Sequence, residues 1–123
     1  MTAYTIDIPR WHPACLNQMK GHWSNGHRLK KIDKAMIAAY STGIPKAEGK
    51  RRVSLHIILD KGQRGGDPDS YQKSLNDALV HSKLLVNDNR QYVENAPATY
   101  SRDPKGWGSR ITLEDMEGKK CGR

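Results

Sequence analysis

The stretch Gly65-Gly66-Asp67-Pro68-Asp69-Ser70-Tyr71-Gln72-Lys73 gathers side chains that could do chemistry. Asp67 and Asp69 stand where a glycine-rich loop meets the start of a helix, with Pro68 stiffening the link between them. Two neighbouring carboxylates repel each other unless one is protonated or a cation lies between them. Mg²⁺ suits such a pair, because it takes one or two carboxylates and completes its octahedron with waters and substrate phosphates. A third carboxylate from a nearby loop would allow one or two ions, and Asp88, in the turn Asn87-Asp88-Asn89, is the candidate. A metal held this way activates water and stabilises charge on a leaving oxygen. Lys73 lies one helical turn beyond Asp69, where it could stabilise charge on a phosphoryl group or position the nucleophile. The plainer reading of the motif is a helix N-cap at Asp69 with a solvated neighbour.

The elements around these residues follow from periodicity. A helix is predicted from about Asp69 to Ser82, with Tyr71, Leu75, Ala78 and Leu79 on its apolar side. At about 100° per residue, Asp69, Lys73, Asn76 and Val80 lie roughly opposite, so Asp69 and Lys73 face a cleft, solvent or a second subunit, and Val80 is left beside Lys73 with no obvious partner in its own chain. Val53, Leu55, Ile57 and Leu59 point one way and Ser54, His56 and Ile58 the other, which predicts a strand over 51–59. Tyr4, Ile6 and Ile8 predict a half-buried strand, and Ile111 and Leu113 lie inward on a closing strand over 109–116. A weaker strand spans about Tyr92 to Tyr100, with Pro97 marking an edge or a bulge. Leu29, Ile32, Met36 and Tyr40 predict the apolar stripe of a helix that ends near Gly43 and Pro45. Residues 9–28 read as a long loop. The expectation is an α/β fold of the mixed α+β kind: about four strands with two helices on one face. One domain over 1–116 and a disordered basic tail over 117–123 complete the reading.

The run Gly66-Asp67-Pro68-Asp69, Lys73, Asp77-Ala78-Leu79 and Leu84-Leu85-Val86-Asn87-Asp88 resembles the RusA family of Holliday junction resolvases. That family's pattern is Asp-x-Asp-Asn, a Lys, Asp-Ala-Leu and an Asp-Asp pair, and the spacing from Asp67 to Asp88 matches without a gap. The strand over 53–59 and the closing strand fit as well; the N-terminal half fits more loosely. The resemblance implies a homodimeric, Mg²⁺-dependent endonuclease (with Mn²⁺ as an alternative ion) that makes paired nicks in four-way DNA. It implies Asp67, Asp69 and Asp88 as the essential acids and metal ligands, and Lys73 as the essential lysine. Two positions depart from the pattern: Ser70 stands for the usual Asn, and Asn87 for the first Asp of the pair. Asp77 is expected to form a structural ion pair with Lys73 rather than bind metal.

Charge agrees with a nucleic-acid partner. The chain has 123 residues and a net charge of +8, from 21 Lys and Arg against 13 Asp and Glu. A basic surface gains affinity for DNA by releasing condensed counterions. Lys30, Lys31, Lys61, Arg64 and Arg90 are the candidate DNA-binding residues, while Lys34, Arg51, Arg52 and Arg102 read as scattered surface charge. Trp11 and Trp23 could stack on bases, but small-core anchors under the loop are the better reading. His12, Cys15, His22 and His27 match no zinc spacing. No stretch reaches the roughly 20 apolar residues of a membrane span, and the first residues do not read as a signal peptide. With two unpaired-looking cysteines, Cys15 and Cys121, a reduced cytoplasmic, nucleoid-associated protein of prokaryotic or phage type is expected. Two other functions stay open: a branched-DNA-binding module that does not cut, and a metal-dependent nucleotide hydrolase.

Overall fold

Val53, Leu55, Ile57 and Leu59 are all buried and alternate with half-buried Arg52, Ser54, His56 and Ile58 along strand β2 (Arg51–Leu59). The computed structural model to which β2 belongs describes residues 3–13, 23–62 and 68–116, with 23–30 and 68–70 described by backbone alone. Around β2 the sheet adds β1 (Ala3–Pro9), β3 (Val93–Asn95), β4 (Thr99–Arg102) and β5 (Gly108–Asp115). β5 lies between β1 and β2 and is antiparallel to both. β3 and β4 follow one another along the far side of β2, each parallel to it. The five strands therefore fill four positions. The single strand expected over 92–100 is two, because Pro97 has no N–H to give to a ladder. Only Ala96 bridges the break, its N–H donating to Val53 O at 2.9 Å.

Helices α1 (Trp23–Tyr40) and α2 (Pro68–His81) complete the α+β fold. Ile37 of α1 and Tyr71, Leu75, Ala78 and Leu79 of α2 join Ile6, Ile8, Ile111, Leu113 and the odd-numbered apolar side chains of β2 in one core. Each such fully buried aliphatic side chain stabilises the fold by about 1.5–3 kcal/mol relative to exposure. The opposite face of the sheet is polar. There Arg52 Nε bonds Glu94 at 2.7 Å and Arg110 Nε bonds Asp7 at 2.7 Å. These hydrogen bonds, then the charges behind them, hold both guanidiniums above their usual pKa.

Three expectations about the elements need correction. Residues 23–28, read as loop, are the start of α1: a helix once nucleated propagates through polar residues such as Ser24 and Asn25 that carry no periodic signal. The stripe expected on α1 is rotated. Ile32 and Tyr40 are 43% and 44% exposed and Met36 is only partly buried, whereas Asp33 and Ile37 face inward at 3% and 0%. The reason is a partner: Trp11 Nε1 donates to Asp33 Oδ1 at 3.2 Å, which makes an inward carboxylate tolerable. This also makes Trp11 a core anchor. The third correction is Arg51, which is 2% exposed rather than a surface charge. Its Nε bonds Asp115 at 2.7 Å, and Nη1 and Nη2 donate to Leu84 O and Pro45 O, both at 3.0 Å. The tail over 117–123, most of the loop before Trp23 and the cysteines lie outside the described residues.

Candidate active site

Pro68, not Asp69, begins α2. Proline is favoured at a first helical position, where its missing N–H has no intrahelical acceptor to lose. Asp69 thus sits inside the first turn rather than capping it, a place where a carboxylate complements the helix dipole. Asp67, Arg64 and the side chains of Lys30, Asp69 and Ser70 lie outside the described residues.

Lys73 is exposed on α2, as its helical angle predicts. Asp88 is exposed in the connection from α2 to β3. Its turn is built by side-chain amides: Asn87 Oδ1 accepts the Asn89 N–H at 3.3 Å, and Asn89 Oδ1 accepts the Gln91 N–H at 3.0 Å. Asn87, one of the two departures from the family pattern, therefore shapes the turn that presents Asp88. Lys73 and Asp88, 15 residues apart in sequence, line one open cleft of about 570 Å³. Gln72, Asn76 and the segment Asn95 to Ala98 form the rest of its wall.

Asn76 lines this cleft yet is only 6% exposed. Gln72 and Asn76 are both buried although neither is apolar. Asn76 Nδ2 and Gln72 Nε2 both donate to Asn95 Oδ1, at 3.0 and 3.3 Å. Among the described residues Asn76 Oδ1 is buried without a partner, an arrangement that costs about 1–3 kcal/mol. Val80, expected to stand free beside Lys73, packs against this chain's own core. The ion pair expected between Lys73 and Asp77 is absent: among the described residues neither takes part in an ion pair. A basic residue N-terminal to an acidic one at this spacing is the weaker orientation on a helix.

The amide triad was missed because its members come from α2 and β3. The signal in sequence was the spacing of Gln72 and Asn76, two amides four residues apart on one face of the expected helix. Of the basic candidates described, Lys31, Lys61 and Arg90 are exposed. His12 is committed to structure: Nε2 lies 2.9 Å from Ile58 O, and the ring meets Trp107 edge-on at 5.1 Å.

Among the described residues no three ligating side chains form a metal cluster. Among the described residues that line the cleft, Asp88 is a carboxylate in no ion pair, set among amides and an ammonium, with no thiol or imidazole. Oxygen donors of this kind, the Asp88 carboxylate and the side-chain amides, are of the class a hard divalent cation takes. No protein-family model and no curated protein sequence matches this chain.

Proposed function

We propose that this chain is a Mg²⁺-dependent endonuclease of the RusA type that resolves four-way DNA junctions by paired nicks. The observation that carries the reading is the meeting of Lys73 and Asp88 in one cleft along α2, the helix whose first turn bears Asp69. Asp67, Asp69 and Asp88 would hold the cation, with Mn²⁺ able to replace Mg²⁺. When bound, the ion supplies an activated water and neutralises charge on the leaving oxygen. Lys73 directs its ammonium at a non-bridging oxygen of the scissile phosphate. Lys31, Lys61 and Arg90, with Lys30 and Arg64, hold flanking phosphates. The working unit is a C2 dimer acting on nucleoid or phage DNA in the cytoplasm, since a junction of twofold symmetry needs one nick in each of two like strands. No helix among the described residues is long and apolar enough to cross a membrane.

The test is incubation of the full chain with a labelled four-way junction and Mg²⁺. Symmetric nicks are expected. Asp88→Asn should abolish nicking and spare junction binding, and Lys73→Ala should slow nicking far more than it weakens binding. Binding without nicks would favour a recognition module, and release of phosphate from nucleotides without junction cleavage would favour a nucleotide hydrolase.

A further inference from the structure

We propose that Asn95 is a DNA-phosphate-binding residue, its amide nitrogen held toward the backbone by Gln72 and Asn76. The inference rests on the endonuclease reading and adds a contact that no carboxylate or basic residue supplies.

The orientation of Asn95 follows from its bonds. Its Oδ1 receives two donors from α2, at 3.0 Å from Asn76 Nδ2 and 3.3 Å from Gln72 Nε2. An amide oxygen has two lone pairs, and both are engaged. The carbonyl end thus faces the helix, and the NH₂ end, with two donor hydrogens, faces the other way. Asn95 is exposed and lines the cleft that Lys73 and Asp88 share. Among the described residues nothing accepts a hydrogen bond from its Nδ2. A free pair of N–H donors beside a lysine ammonium suits an anionic acceptor, and in DNA that is a phosphate oxygen.

The arrangement works against stability, which argues for a role beyond packing. Asn76 turns its NH₂ to Asn95 and, among the described residues, leaves its own Oδ1 buried and unpaired. An apolar side chain of similar size would avoid that penalty. Buried polar atoms left unsatisfied are rare, and a site that must fix one donor in place is a physical reason for one. Gln72 and Asn76 are then positioning residues, and Asn95 is the group that meets the substrate.

Three variants of the full chain test this, with labelled four-way junction as probe, in EDTA for binding and in Mg²⁺ for nicking. Asn95→Ala should weaken junction binding about tenfold, the scale of one hydrogen bond to a charged group. KM should rise with kcat little changed. Asn95→Asp, of equal shape, should bind more weakly still, because it sets a carboxylate against a phosphate. Asn76→Leu should weaken binding while its melting temperature holds or rises. Wild-type binding by both Asn95 variants would overturn the inference, as would a loss confined to kcat. A lower melting temperature for Asn76→Leu with unchanged affinity would make the amides structural and overturn it too. Should the wild-type chain neither bind nor nick the junction, the endonuclease reading itself falls and takes this inference with it. Normal nicking by the wild type with indifferent Asn95 variants removes the inference alone.

Discussion

Arg51 directs every arm of its guanidinium into the protein, to Asp115, Leu84 O and Pro45 O, with the ring of Tyr4 centred 5.1 Å from its Cζ. Removing the cation leaves two carbonyls and a carboxylate without their donor. Asp115 is 46% exposed and can turn to water, so the loss belongs below the range for a fully buried pair. Arg51→Met, which keeps the length of the side chain, should lower unfolding stability by about 2–4 kcal/mol. Urea denaturation checks this; a change within the range of ordinary surface substitutions would show that the buried bonds contribute nothing. The same residue explains a limit on charge counting: one of the 21 basic residues is structural and offers DNA nothing.

The element most exposed to a single change is the β1–β5 pair. Its register sets Pro9 opposite Gly108, at the end of the ladder where the chain turns away toward Trp11. A Cβ at Gly108 would lie 2.4 Å from Ile8 O and 3.0 Å from the Pro9 Cα, both backbone atoms that cannot rotate aside. Gly108→Ala must push the two strands apart locally. It should lower the denaturant midpoint, at an expected cost of about 1–3 kcal/mol, with little change in the urea slope. A midpoint equal to wild type would mean that the end of the ladder shifts freely. The consequence can reach α2 through His12, whose ring meets Trp107, the neighbour of Gly108, at 5.1 Å and Tyr71 of α2 at 6.4 Å.

At the scale of the whole molecule, the net charge of +8 and the exposed Lys31, Lys61, Lys73 and Arg90 give the expected association its salt dependence. Junction affinity should fall linearly with log salt, with a slope of about −0.9 per phosphate neutralised. A flat titration between low and moderate salt would contradict electrostatic binding to DNA. The proposed dimer rests on the symmetry of a junction. Val80 lends it no support, since that side chain is packed within its own subunit. Sedimentation at micromolar concentration should show a dimer, free or junction-bound; a monomer in both states would leave paired nicking without a mechanism.

Strict alternation made β2 readable from residue types alone, and the same is true of the inward faces of β1 and β5 and of the Tyr71–Leu79 face of α2. Burial of one face imposes a period that the chain itself carries. Lys73 was placed outward on the same grounds, and the Asp-rich motif was visible as spacing. The inward turn of Asp33 and Arg51, the burial of Asn76 and the packing of Val80 were not readable in this way. The first three each depend on a group distant in sequence: Trp11 for Asp33, Asp115 and two carbonyls for Arg51, Asn95 for Asn76. Local periodicity treats a polar side chain as solvent-seeking. It is the tertiary fold that supplies the hydrogen-bond partner that lets such a side chain be buried, and with it the amide-lined cleft in which Lys73 and Asp88 meet.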